Sequence, residues 1–216
     1  MRLGTYYRYL VSQHLPLPLP KGRVLDVGCY DGFVLSRISA EEKVGIDLKV
    51  VEKYTHIRYI QGDFLTYDFG VTKFNTIYAF DVLEHVEDGI QFMQKIISLL
   101  SPQGKAILSV PSSTITIFPS AAQKWVDKRW GHLYRRGYNP SEICKLIADT
   151  GLDTYRIEDI FLWNGLLFRF FYLALSGIWR LCFPLSKRIV QRIVQREIKM
   201  KDGEDGFVFV VITKTS

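Results

Sequence analysis

The sequence predicts an α/β fold: a mostly parallel, seven-stranded sheet with helices on both faces and a helical insertion before the last strand. Three observations predict it. Short apolar runs of strand length alternate with segments of helical period from residue 23 onward. Acids stand at the ends of four successive runs, at Asp26, Asp47, Asp63 and Asp81. About 45 residues, 161–206, separate the sixth run from the seventh, too many for a structureless connection in a compact domain. At 216 residues and 48% apolar content the chain is read as one domain, 1–216, with 161–206 as an insertion in it.

The elements follow in order. Residues 5–13 form a tyrosine-rich helix, and Pro16, Pro18 and Pro20 make an extended linker after it. Val-Leu-Asp-Val at 24–27 is a buried strand by its continuous apolar run. A turn at Asp31-Gly32 leads into a predicted helix over 33–39. Strands are predicted at 43–47, 57–61 and 74–80, then a helix at 89–100, which Pro102 and Gly104 stop. A fifth strand covers 105–110 and ends at Pro111. A helix over 141–150 takes Ser141 as its N-cap and Gly151 as its C-terminal stop. Strands at 153–160 and 207–213 complete the set.

Charge and cysteine content narrow the function classes. The net charge is +6, yet residues 161–201 alone carry +7 and the rest of the chain −1. The basic character belongs to one segment, which argues against DNA as a partner of the catalytic unit. Three widely spaced cysteines, Cys29, Cys144 and Cys182, support neither a disulfide framework nor a zinc ribbon, and fit a reducing cytoplasm. Residues 1–19 lack the apolar run and cleavage site of a signal peptide, so none is expected.

The strongest functional signal is Val-Leu-Asp-Val-Gly-Cys-Tyr-Asp-Gly at 24–32. A strand ending in an acid runs into a glycine-bearing turn, which lets backbone N–H groups approach a ligand. The stretch lacks the Lys-Ser/Thr of a phosphate loop and the intervening glycines of the dinucleotide pattern. It resembles motif I of the class I S-adenosylmethionine-dependent methyltransferases, and Val-Leu-Glu-His-Val at 82–86 is similar to that family's segment after the fourth strand. The resemblance covers roughly residues 20–155 and the final strand, and implies a Rossmann-like sheet with S-adenosyl-L-methionine as cofactor.

By that resemblance Asp26, Gly28, Cys29, Tyr30 and Gly32 surround the methionine part of the cofactor. Asp47 holds the ribose, since a carboxylate can accept from both hydroxyls, and Leu48 packs on the adenine. Asp63 meets the adenine amino group with Phe64 beside it, and Asp81 and Val82 complete the site. Tyr30 stands where the family usually has glycine, which strains the loop if that position needs a positive φ.

The acceptor is less legible, because displacement at a sulfonium methyl needs alignment more than a dedicated catalytic motif. Ser109-Val-Pro-Ser112 resembles the small-molecule and lipid branch, and no Asn-Pro-Pro-Tyr-like segment follows the fourth strand. His132 and His85 are the candidate catalytic bases, and Arg135 and Arg136 could hold an acidic group of the acceptor. Asp81, Glu84, His85 and His132 also carry the donor types of a metal site. The same letters occur in metal-free relatives, and no metal is expected.

The insertion is apolar and aromatic over 161–185, but Arg169 and Arg180 interrupt it, leaving no span of the roughly 20 apolar residues a membrane crossing needs. Residues 187–201 read as a basic amphipathic helix, with Ile189, Val190, Ile193 and Val194 on a stripe and Arg188, Arg192 and Arg196 beside it. Rings followed by cations suit an anionic membrane surface. The alternatives are a lid over the acceptor pocket or the interface of a homodimer. The expectation is a cytoplasmic, peripherally membrane-associated enzyme that methylates a small-molecule, lipid or lipid-linked acceptor. An RNA methyltransferase and a non-catalytic relic of the fold are the competing readings.

Overall fold

The apolar runs become strands because their side chains are wanted on two faces at once. In a computed structural model, which describes residues 2–16, 20–130, 136–179, 181–200 and 206–215, seven strands form one sheet. They are β1 (Arg23–Val27), β2 (Glu42–Asp47), β3 (Arg58–Gln61), β4 (Phe74–Phe80), β5 (Leu100–Pro111), β6 (Tyr155–Trp163) and β7 (Phe207–Lys214), in the order β3-β2-β1-β4-β5-β7-β6. Strands β1 to β5 pair in parallel, and β7 runs antiparallel to both β5 and β6. The described helices are α1 (Leu3–Ser12), α2 (Gly89–Leu99), α3 (Gln123–Trp130), α4 (Pro140–Ala148), α5 (Tyr172–Ile178) and α6 (Phe183–Ile198).

Alternation along the strands sorts the core. Leu25, Val27, Ala106, Leu108, Val208 and Val210 face one side and pack with Phe92, Met93 and Ile96 of α2 and Ile143 and Ile147 of α4. Val24, Tyr78 and Ile107 face the other side, under Leu35 and Ile57. Farther along that side, Phe207 and Phe209 meet Tyr6, Tyr7 and Val11 of α1 and Leu175, Trp179, Val190 and Val194 of the insertion. Val190 and Val194 are essentially fully buried. At roughly 2 kcal/mol for each such side chain, this stripe, and not the exposed arginines beside it, docks α6.

Several elements depart from the sequence expectation. The helix predicted over 33–39 is only a 3-10 turn at Leu35–Arg37. Residues 28–41 must carry the whole crossover from β1 to β2, and a parallel crossover needs a dozen or more residues, so little length is left for a helix. Among the described residues, the Gly28–Gly32 loop is followed by this short turn in place of the predicted helix. Helix α4 takes its N-cap from Asn139, not Ser141. The Asn139 side chain accepts from Glu142 N–H and the Glu142 side chain accepts from Asn139 N–H, a reciprocal box with Pro140 at N1. Strand β5 begins at Leu100, and the predicted Pro-Gly turn is an irregularity within it: the pairing with β4 jumps between Phe74 and Thr76, and Gln103 has φ +61°. The insertion breaks into a short π turn (Leu167–Phe171), α5 and α6. Among the described residues no helix is long and apolar enough to cross a membrane.

Candidate functional site at the strand ends

The strand order reverses between β1 and β4, since β2 and β3 lie to one side of that pair and β5 to the other. A crevice at the carboxyl ends of the strands is expected at such a point, and the predicted site residues gather there. After β1 the chain turns sharply, with φ +79° at Gly28, +46° at Tyr30 and +67° at Gly32. A Cβ on Gly28 would stand 2.6 Å from Val82 Cγ2, so glycine lets the turn close on the loop after β4. Tyr30 takes the left-handed conformation that its side chain disfavours. Three contacts hold it there: its N–H donates to Asp47 Oδ2 at 2.9 Å, its carbonyl accepts from Val51 N–H at 2.9 Å, and Arg2 stacks on its ring at 4.0 Å.

Asp47 closes β2. Its second oxygen, Oδ1, accepts from Lys49 N–H at 2.9 Å, so one carboxylate binds the first loop to the second, and each oxygen keeps a further lone pair. Leu48 beside it is 73% exposed and offers an open apolar face. Asp63 is exposed after β3, and its Oδ1 accepts from Leu65 N–H at 2.8 Å. Phe64, predicted beside the adenine, follows it with its side chain turned toward the core. It is buried in the core, edge-on to Phe92 at 5.2 Å between centroids, because the chain after Asp63 turns inward. Cys29 is also buried, packed against Gly45, and burial pushes its thiol well up.

Asp26 is 3% exposed at the floor of the turn. Burial, then the charges of Asp47 and Asp31, push its carboxyl up to about 8. It is therefore mostly protonated at neutral pH, a neutral acid beneath the loop. Asp81, at the end of β4, has φ +53°. Its N–H donates to Ser109 O at 2.8 Å and its carboxylate accepts from Ser109 Oγ at 3.1 Å. Arg8 of α1 forms an ion pair with the same carboxylate. Val82 is half-buried over Gly28.

Of the two predicted bases, His85 lies on the short turn after Asp81, with Nε2 3.9 Å from Glu84 Oε1. His132 and Arg135 lie outside the described residues. Arg136 is engaged in the fold: its Nη2 donates to Ile115 O at 3.0 Å and its Nε lies 3.3 Å from Asp127. Among the described residues no three His, Cys, Asp or Glu side chains converge as a metal-ligand group.

Two participants escape sequence reading. Arg8, on which the sequence analysis is silent, is 8% exposed and pairs with Asp81 at the crevice. Glu197, the lone acid of the basic segment, is 2% exposed. It accepts from Tyr7 Oη at 2.8 Å, Trp163 Nε1 at 3.0 Å and Leu166 N–H. The signal for Glu197 was present, since residues 190, 194 and 197 follow the i, i+4, i+7 spacing of the buried stripe. No local signal marks Arg8.

This arrangement of loops at the switch point defines a nucleotide-type cofactor fold, and the comparisons make it specific. A family model described as "Methyltransferase domain" matches residues 2–157. The chain belongs to the S-adenosylmethionine-dependent methyltransferase family. It is 24% identical over 159 residues to a ubiquinone biosynthesis O-methyltransferase of Rickettsia canadensis, covering 66% of this chain and 67% of that one. Other curated relatives of the same name are covered over 64–66% of their length, so the chain spans about two thirds of these proteins. Among solved structures, the N-methyltransferase NodS from Bradyrhizobium japonicum, in complex with S-adenosyl-L-homocysteine, matches with a TM-score of 0.58 at 12% identity, covering 100% of this chain and 89% of that one. A phosphoethanolamine N-methyltransferase of Haemonchus contortus matches with a TM-score of 0.62 at 15% identity, over 98% of this chain and 53% of that one. These likenesses support the fold. Residues 158–216, with the insertion, lie beyond the family match.

Proposed function

We propose that this protein transfers the methyl group of S-adenosylmethionine to a small-molecule, lipid or lipid-linked acceptor while docked on an anionic membrane surface. The cofactor supplies an activated methyl on a sulfonium, which the acceptor displaces at carbon. The residues fit it. Asp47 keeps lone pairs for a ribose, Leu48 is open for a base, and the Gly28–Gly32 turn leaves a cradle that a Cβ at Gly28 would disturb. Asp26 holds its proton beneath the loop and Asp81 lines the β4 side. Where the acceptor is a hydroxyl, we assign proton removal to the strand-end turn that carries His85.

The single observation behind the membrane reading is the apolar surface of the insertion. Phe170, Phe171, Leu181, Phe183 and Leu185 are 38–83% exposed, and Arg188, Arg192 and Arg196 are exposed on the adjoining helix. Such a surface suits the acyl boundary with cations at the headgroups. The enzyme would then work from the cytoplasm as a peripheral protein. The name of the curated relatives, ubiquinone biosynthesis O-methyltransferase, supports a small-molecule acceptor.

Calorimetry with S-adenosylmethionine tests the first part: binding by the native chain, and its loss in Asp47→Ala, is expected. A native chain that does not bind it would favour a non-catalytic relic. Co-sedimentation with phosphatidylglycerol vesicles tests the second. Phe171→Ser/Leu181→Ser should weaken it, and binding that ignores lipid charge and both changes would remove the membrane claim. A steep, salt-dependent affinity for RNA instead would favour the nucleic-acid reading.

A further inference from the structure

Two hydroxyl groups where α1 meets α6 are buried and unpaired. Tyr6 is 3% exposed and Ser186 0%, and neither Tyr6 Oη nor Ser186 Oγ has a hydrogen-bond partner among the described residues. A stranded buried hydroxyl costs stability, and both belong to one place, the start of α6. Ser186 closes the first turn of that helix, its N–H donating to Cys182 O at 2.9 Å. Tyr6 is tied to the same turn by two contacts. Lys187 Nζ stands 5.8 Å from its ring centre, and Trp179, 5.6 Å from the Tyr6 ring, meets Phe183 edge-on at 5.1 Å.

The helix start is itself under-satisfied. Cys182, its N-cap, supplies no side-chain cap, and Pro184 brings no N–H. Phe183 and Leu185 therefore present N–H groups with no acceptor inside the helix. Oriented N–H groups at the positive end of a 16-residue helix favour an anion. Here Lys187 adds a cation and the two hydroxyls add O–H donors. The chain supplies no balancing charge at this end. Glu197, the lone acid of 161–201, lies at the other end of α6 and is taken by Tyr7 and Trp163.

The surroundings decide what carries the anion. Leu181, Leu185 and Phe183 are 83%, 56% and 38% exposed beside this turn. A free phosphate has no use for them, whereas a phospholipid brings its phosphate and its acyl chains together. We propose that the start of α6, with Tyr6, Ser186 and Lys187, binds the phosphate of a single anionic phospholipid whose chains lie on Leu181, Phe183 and Leu185. The site rests on the membrane reading for its occupant and deepens it. One lipid is recognised by its headgroup, beyond the general attraction of Arg188, Arg192 and Arg196 for a charged surface.

The test uses the full chain. The first probe is dihexanoyl phosphatidylglycerol below its micelle concentration, titrated by calorimetry beside inorganic phosphate. The native chain should bind the lipid at least about tenfold more tightly than phosphate, since only the lipid also covers the apolar side chains. Tyr6→Phe/Ser186→Ala should weaken lipid binding at least about tenfold, through two lost hydrogen bonds to a charged group. The same variant should unfold at an equal or higher urea concentration, because it removes only unpaired hydroxyls. Hydroxyls with a merely structural role would leave the lipid affinity where it was. Should that variant fail to fold, Lys187→Met, at a half-buried position, takes the same titration and should lose a similar factor.

The second probe is co-sedimentation with phosphatidylcholine vesicles that carry either phosphatidylglycerol or an equal charge of oleate. The native chain should prefer phosphatidylglycerol, and Tyr6→Phe/Ser186→Ala should erase the preference while still sedimenting with both. Lipid affinity unchanged by these substitutions, or no preference for phosphatidylglycerol over oleate, would overturn the proposal. Inorganic phosphate bound as tightly as the lipid would overturn it in favour of a soluble ligand. A native chain that sediments with no anionic vesicle breaks the membrane reading, while the short-chain titration still judges the site.

Discussion

The two faces of the sheet are built on different principles. The face under α2 and α4 is a dense aliphatic and aromatic core in which Phe92, Met93, Ile96 and Ile147 are essentially fully buried. The face under α1 and the insertion is equally buried but carries ionisable groups. Tyr7, Trp163 and Glu197 form one network there, Arg8 reaches Asp81 along its edge, and Asp26 shares the side of Val24. Apolar packing tolerates exchange of one hydrophobic residue for another of like volume. A buried carboxylate with three donors accepts one arrangement only. The first face supplies stability, and the second fixes where α1 and the insertion sit relative to the crevice.

The largest test of that contrast is Glu197→Ala. It strands Tyr7 Oη, Trp163 Nε1 and the Leu166 N–H without their acceptor, and should cost at least about 3 kcal/mol in urea unfolding. Ile96→Ala on the other face should cost a similar amount, about 2–5 kcal/mol, by leaving a cavity. The difference lies in what repairs them. Ile96→Leu should recover most of the loss, whereas Glu197→Leu should not. Recovery by Glu197→Leu would break the comparison, since the network would then be mere filler.

Next in size is Asp47→Ala. It should lower S-adenosylmethionine affinity by at least about a hundredfold, roughly two hydrogen bonds to a ribose. Its cost in stability should stay near 1 kcal/mol, since it frees the Tyr30 and Lys49 N–H groups at a partly exposed site.

A pH titration of stability sharpens the assignment of charge to the second face. The Asp26 carboxyl is raised to about 8 by burial, then by Asp47 and Asp31. A carboxyl raised in the folded state binds protons that the unfolded chain has released, so its stabilising contribution is complete below about 4 and is lost as pH rises through about 8. Between those limits stability should fall with rising pH, and Asp26→Asn should flatten the fall. An unchanged slope in Asp26→Asn would remove Asp26 as the source. The smallest effect belongs to the solvent side of α6. Arg192→Ala should change stability by no more than about 0.5 kcal/mol, yet reduce sedimentation with anionic vesicles.

Much of this was legible in the chain. The apolar runs at 24–27, 74–80 and 207–213 became strands within a residue of their predicted ends, because a run buried on both faces announces itself. The buried stripe of α6 followed from its period. Local chemistry misled where two signals competed. Ser141 looked like a cap, but Asn139 with Glu142 makes the better box and Pro140 fits inside the helix. The helix over 33–39 had a suitable composition and too little chain to form in.

By itself, the sequence determined the order of strands and the placement of acids at their ends, because both depend on neighbours a few residues apart. It also marked Tyr30 as the strained member of the first loop, and the structure puts that residue at φ +46°. Only the tertiary structure decided which charges would meet. Arg8 lies 73 residues from Asp81 in number and Tyr7 lies 190 from Glu197. No pattern in a linear chain records such pairs. They exist because α1, β7 and the insertion share one buried face, where a charge must find its partner or stay outside.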